Sequence, residues 1–301
     1  MALSKGSLFK AKLRKEVVNL VRGKSSIARL AGVEPVNFNG TDIFTFSFDN
    51  EAAIVGEGEA KPVGGATITP VQIRPFKVEF GSRVTDEFMI AADEEKIEIL
   101  RAFADGFSAK VARVLDIAAF HGYNPRTGQA STVIGNNNLD YVIANYNSGA
   151  NVVTYDSSDP NTNMETAIAK VMDAEHEVTG AAFAPSFRSA LAAQTKSNGD
   201  LMFPELGWGN QVQELRGLAI DSNSTVAFGG SKDKAIVGNF RDYFKWGVAK
   251  DMGIKIIEYG NPDNSEDGDL AGHNQVYIRG EMYIGYGILA PEAFALVKAG
   301  E

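Results

Sequence analysis

Few side chains in this 301-residue chain are spaced for chemistry. Arg22-Gly23-Lys24-Ser25 has the ending of a phosphate-wrapping loop, in which a lysine meets phosphate oxygens and a hydroxyl holds magnesium. The glycine such a loop needs five residues before Gly23 is Val18, and no strand leads into it. Asp263, Ser265, Asp267 and Gly268 have the opening spacing of a calcium loop, but Asn274 stands where a bidentate Glu must close the coordination shell, so a solvated acidic loop is expected. Gly56-Glu57-Gly58 lacks the third glycine and the strand-to-helix setting of a dinucleotide site and reads as a turn. The three histidines, His121, His176 and His273, lie far apart and beside no nucleophile motif, which predicts surface or capping roles. With no cysteine, thiolate metal sites, disulfides and Cys nucleophiles are excluded, and three scattered histidines do not predict a zinc site. No catalytic, cofactor-binding or metal residue is expected, and no enzyme.

The elements that would position such residues are clearer. At 44% hydrophobic the chain can bury one large core or two smaller ones. No run reaches the roughly 18 apolar residues that cross a bilayer, and no membrane contact is expected. Formal net charge is -9, unevenly placed: Lys5, Lys10, Lys12, Arg14, Lys15, Arg22, Lys24 and Arg29 face only Glu16 in the first 30 residues. This basic arm carries Leu8, Leu13, Val17, Leu20 and Val21 at helical spacing, predicting an amphipathic helix over 7–22. A cationic arm on an acidic body suits a neighbouring copy or nucleic acid held inside a container.

From Glu51 to Arg83, glycines and prolines punctuate alternating strands, predicting a long irregular hairpin whose phase shifts at Pro75 as a bulge would cause. Such a hairpin is marginal alone and must lie on another surface. Ile97, Leu100, Ala104, Phe107, Val111, Val114, Leu115 and Ala118 predict a long helix that opens on Asp93-Glu94-Glu95, whose charge suits a helix start, and closes near Gly122. Tyr141–Ile143 is a strand candidate in the polar connector that follows; helices are expected over 163–178 and 185–195, and strands at 218–220 and 235–237. Val276, Ile278, Met282 and Ile284 alternate with Tyr277, Arg279, Glu281 and Tyr283, predicting a strand with one buried face.

Val55-Gly56-Glu57-Gly58-Glu59-Ala60-Lys61-Pro62, Ala66-Thr67-Ile68-Thr69-Pro70 and Ser82-Arg83-Val84-Thr85-Asp86-Glu87 together resemble the extended loop and helix entry of tailed-phage major capsid proteins. Gly122-Tyr123-Asn124-Pro125-Arg126-Thr127-Gly128 resembles that family's connector. Gly238-Asn239-Phe240-Arg241-Asp242-Tyr243 resembles the turn leaving its axial domain, and Val276–Glu281 through Leu289–Phe294 its closing segment. The resemblance covers about residues 40 to 300. It implies an α+β, Hong Kong 97 type phage capsid fold: N-terminal arm (1–30), extended β-hairpin loop (51–83), long spine helix (92–121), peripheral domain (31–50, 84–145 and 251–301) and axial domain (146–250).

The function so implied is self-assembly into hexamers and pentamers of an icosahedral shell around double-stranded DNA, in a virion built in the host cytoplasm. The implied partners are many copies of itself, a separate scaffolding protein, a portal, a decoration protein and DNA by non-specific proximity. A separate scaffold is expected because the fold starts soon after Met1. The shell family also contains encapsulins, whose interior N-terminal helix makes an encapsulin-type compartment protein the alternative. Some members join an extended-loop Lys to a neighbour's Asn with the help of a Glu. Asn274 and Glu281 match that Asn and Glu, but the Lys position is Pro70, so no cross-link is expected. Lys10, Arg14, Lys15, Glu57, Lys61, Arg74, Lys77, Asn274 and Glu281 are the expected assembly contacts.

Overall fold

Asp93–His121 forms one unbroken helix of 29 residues, about 44 Å at 1.5 Å per residue. In the computed structural model, which describes residues 25–48, 50–85, 93–207, 209–210 and 212–300, Ala104, Phe107, Val111, Leu115 and Ala118 are buried as the periodicity predicts. The arm helix expected over 7–22, with Lys10, Arg14 and Lys15, lies outside the described residues. From Leu115 to Gly122 every residue is buried, so the last turns of the helix run through the protein body instead of along its surface. Gly122 stops the helix: its N–H donates to Ala118 O at 2.9 Å and its φ is +69°.

The strands, in chain order, are β1 (Gly32–Val33), β2 (Thr41–Phe48), β3 (Ala66–Ile73), β4 (Phe76–Thr85), β5 (Tyr123–Asn124), β6 (Gln129–Ala130) and β7 (Val152–Tyr155). They continue with β8 (Gly180–Phe183), β9 (Glu214–Leu215), β10 (Leu218–Ser222), β11 (Asp233–Gly238), β12 (Phe244–Ile257), β13 (Gln275–Ile288) and β14 (Phe294–Ala299). One sheet has the order β1-β12-β13-β4, and its long antiparallel pair β12/β13 is the longest ladder. The other, in the order β7-β14-β11-β8-β10-β9, mixes parallel and antiparallel pairs. The helix Pro160–Asp173 packs on it, opened by Asp159, whose carboxylate accepts from Thr162 N–H, with Pro160 in the first turn.

Four expectations change. The partner of β3 is β2, not a strand within 51–83, so the hairpin starts at Thr41. The phase shift at Pro75 is no bulge: β3 pairs with β2 and β4 with β13, so the chain changes sheets between Ile73 and Phe76. Residues 139–145 are a helix, because Asn138 accepts from Tyr141 N–H at 2.9 Å and Leu139 and Ile143, one turn apart, are both fully buried. The segment 251–301 is not one piece, nor is 146–250: β14 lies between β7 and β11 in the six-stranded sheet, while Phe244–Lys250 belongs to the four-stranded one. The alternation at 276–284 holds on its apolar face, where Val276, Ile278, Met282 and Ile284 are buried, but Tyr277 on the opposite face is buried as well.

The sheets meet their neighbours at close quarters at Gly247, where a Cβ would lie 1.9 Å from Glu34 O and 2.9 Å from Val36 Cγ2. Backbone cannot give way there without breaking the bond from Glu34 N–H to Trp246 O. Gly247→Ala is therefore expected to destabilise the subunit by about 3 kcal/mol in urea unfolding, and a change below about 0.5 kcal/mol, the size of an ordinary surface substitution, would contradict this packing.

Candidate functional site

The β2/β3 hairpin projects from the body as a ribbon about 26 Å long, from eight residues at 3.3 Å. Its register places Phe44 opposite Pro70, Phe46 opposite Ile68 and Phe48 opposite Ala66, all on one face. That face is apolar and uncovered: Phe44, Phe46, Phe48 and Ile68 are 67, 57, 77 and 60% exposed. Thr45, Ser47, Thr67 and Thr69 occupy the other face. At the base Ile73 is fully buried against Gly285 and Gly287, where a Cβ would come within 3.1 and 2.9 Å of its side chain. The tip holds Glu57 and Lys61, both exposed, beside the expected turn, in which Glu59 N–H donates to Gly56 O at 3.2 Å. Arg74, at the crossing between sheets, donates to the Gln72 amide oxygen.

Two of the expected contacts meet. Lys77 on β4 lies 3.3 Å from Glu281 on β13 and also pairs with Glu79, while Lys255 on β12 donates to Glu281 at 2.8 Å. Glu79 and Glu281 stand directly opposite each other, a repulsive placement that Lys77, Lys255 and Arg279 offset. Lys255 first, then Lys77, holds the Glu281 carboxyl below its usual range, and Glu79 raises the Lys77 ammonium above its own. Asn274 is elsewhere: exposed, in the left-handed region at φ +51°, just before β13 begins. Seven residues of strand separate it from Glu281 by about 23 Å, so the two cannot act on one bond within a subunit.

The acidic loop before Asn274 is not simply solvated. Arg83 donates to both oxygens of Asp263, from Nη2 at 2.6 Å and Nε at 3.0 Å, and also to Asn261, Gln275 and Gly268 O. This guanidinium pulls the Asp263 carboxyl down to about 2 and takes the place that the calcium reading would have left to a cation.

Two buried networks escaped the sequence reading. Asp116, fully buried on the long helix, accepts from Ser25 Oγ, Ser26 N–H (3.0 Å), Ile27 N–H (3.1 Å), Thr225 Oγ1 (2.9 Å) and Asn223 Nδ2 (3.2 Å). It thereby clips the short helix Ser26–Leu30, which Ser25 caps, into the body; Arg29 adds a 2.7 Å pair with Asp221. Burial pushes the Asp116 carboxyl up to about 6, against the donated hydrogen bonds. An acid at one-turn spacing from the buried Ala112 was the available signal. His121 is likewise no surface residue: it is buried beside Asp233, with Nε2 donating to Thr225 O at 3.0 Å. His176 is half-buried, edge-on to Tyr243, and the exposed His273 meets Asp269 O.

The Phage capsid family model matches residues 6–299. A solved structure from Mycobacterium phage Ogopogo is 31% identical with a TM-score of 0.77, covering 92% of each chain. One from Gordonia phage Cozz is 24% identical, with a TM-score of 0.75 over 92% of this chain and 87% of its own. The fold extends to the capsid of an empty GTA particle at 13% identity and a TM-score of 0.65, covering 92% of this chain and 90% of that one. No curated protein matches the chain. These likenesses do not favour the encapsulin alternative. With a mixed helix-and-sheet body, a projecting hairpin and a family match over nearly its whole length, the chain belongs to the phage capsid family.

Proposed function

We propose that this chain is the major capsid protein of a tailed phage, assembling as hexamers and pentamers into an icosahedral shell around double-stranded DNA, and that it catalyses no reaction. The observation that carries this reading is the uncovered face of Phe44, Phe46, Phe48 and Ile68, an apolar ribbon that a subunit cannot bury by itself. In the terms of the Hong Kong 97 type fold, the hairpin is the extended loop, Asp93–His121 the spine helix, the four-stranded sheet the peripheral part and the six-stranded sheet the axial part. Closed symmetry then needs only heterologous contacts repeated about five-, six- and three-fold axes. A scaffolding protein, a portal and a decoration protein are the expected partners, and the basic arm with Lys10, Arg14 and Lys15 is expected to meet a neighbour or packaged DNA.

The shell is held without covalent links. Pro70 offers no amine, and the two Lys ammonium groups beside Glu281 are held in ion pairs, Lys255 with Glu281 and Lys77 with Glu79 and Glu281. Negative-stain microscopy of the chain expressed with its scaffold should show shells of uniform diameter. The same particles boiled in SDS should run as monomers. Persistent failure to assemble overturns the shell reading, and a ladder of oligomers overturns the non-covalent one.

A further inference from the structure

We propose that His121, Asp140 and Asp233 form a site for a divalent transition-metal ion of the zinc class, tying the end of the long helix to the six-stranded sheet. One nitrogen, one carboxylate oxygen from each acid and no thiolate make a donor set suited to such an ion, and the three ligand atoms lie within 4.8 Å of one another.

The hydrogen-bond pattern points to a ligand in the middle of this group. Thr225 O can only accept, so the Nε2 that meets it at 3.0 Å carries the proton, and a neutral imidazole then presents the lone pair of Nδ1. That Nδ1, fully buried, faces Asp233 Oδ2 at 3.2 Å without a hydrogen bond. Both Asp233 oxygens are buried without a hydrogen bond: Oδ1 has only the Lys298 ammonium, at 3.4 Å, and Oδ2 faces the imidazole. A lone pair aimed at a buried carboxylate is repulsive unless something positive joins them. Ligands about 2 Å from a tetrahedral zinc lie about 3.3 Å apart, close to the 3.2 Å between Nδ1 and Asp233 Oδ2, and Asp140 lies within 4.8 Å of both. The bond from Nε2–H to a carbonyl is also the support that metal-binding histidines ordinarily have.

The backbone is shaped to bring Asp233 in. The β11/β14 register shifts between Asp233 and Ala235, and this irregularity sets Asp233 opposite Lys298 with its side chain fully buried. Asp140, in the first turn of the helix Leu139–Asn145, supplies the third ligand from a half-buried position that leaves it free to adjust. Lys298 is the competitor: its ammonium lies 2.9 Å from Asp140 and 3.4 Å from Asp233. Its side chain is about a third exposed and can swing to solvent when a metal ion takes its place.

The test uses the purified full chain, loaded with zinc chloride at neutral pH, stripped of loose metal by gel filtration and assayed for bound zinc. One zinc per subunit is expected, with a raised unfolding midpoint that a chelator reverses. Asp140→Asn, an isosteric change at a half-buried position, should weaken binding by at least about tenfold. Lys298→Met, which removes the competing ammonium, should tighten it. Absence of retained zinc in the wild-type chain overturns the site and leaves Asp233 paired with a proton on Nδ1. Zinc retained equally by Asp140→Asn and by His121→Gln overturns it too, placing the metal elsewhere.

Discussion

Replacing Phe44, Phe46 and Phe48 together by serine should give a folded subunit that no longer closes into shells. Burying one phenylalanine contributes about 1.5–3 kcal/mol, so removing three should weaken each hairpin contact by roughly 6 kcal/mol, about a ten-thousandfold loss in its equilibrium constant. A shell multiplies that loss over every copy, because closure requires all of these contacts at once. The subunit itself should hardly notice. The three rings are more than half exposed, Phe46 and Phe48 stack edge-on at 5.0 Å, and exposed substitutions of this kind change stability by about 0.5 kcal/mol or less. Sedimentation velocity should show subunits or small oligomers in place of particles, with an unchanged unfolding midpoint in urea. Normal shell yield from the triple variant would mean that this face is not buried in the particle.

Removal of the Asp116 carboxylate should have the opposite signature, a failing subunit with its assembly surfaces intact. Asp116→Ala leaves five donors without their acceptor, among them the buried Ser25 hydroxyl and the first backbone N–H groups of the helix Ser26–Leu30. Each buried donor left unsatisfied costs about 1–3 kcal/mol, and partial relaxation brings the expected total to about 4 kcal/mol. Limited proteolysis should then cut more readily near residues 25–31, most of which are buried in the wild type.

The same residue gives a pH signature. Its carboxyl titrates at about 6 in the fold, above the ordinary value of 3.8, so between those values the folded state holds the proton more tightly than the unfolded chain. The stability this group contributes is therefore full below pH 4 and is lost as pH rises through 6, a difference of about 3 kcal/mol. Measured against Asp116→Asn, which does not titrate, the advantage of the wild type should shrink by that amount between pH 4 and pH 7. A gap that widens instead would show that the five donated bonds outweigh burial.

Local features were legible in the sequence and distant pairings were not. The long helix ends where its apolar spacing and Gly122 end it, because period and cap are encoded within a few residues. The Phe44, Phe46, Phe48 alternation was also in plain view, yet its partner strand starts some 20 residues on, past a tip rich in glycine, and nothing local specifies that register. Three apolar residues at Tyr141–Ile143 suit a strand or one helical turn equally, and only the Asn138 cap decides. Lys77 and Glu281 meet through a ladder that joins strands about 200 residues apart. Asp116 and His121 gain their partners from segments about 90 to 110 residues away, so their burial could be suspected from the apolar face around them but not assigned.

The place of β14 also governs when the protein can form at all. Among the described residues β7 pairs with β14 alone, although some 140 residues separate them, and β14 is an inner strand of its sheet. At ordinary translation speeds of about 5–20 residues per second, Val152–Tyr155 must wait on the order of 10 s on the ribosome before its neighbour exists. Contacts so remote in sequence also make folding slow after release. A nascent or prematurely terminated chain thus has an open sheet and no finished body for its neighbours to grip, so synthesis itself screens out incomplete subunits before they can poison a growing shell.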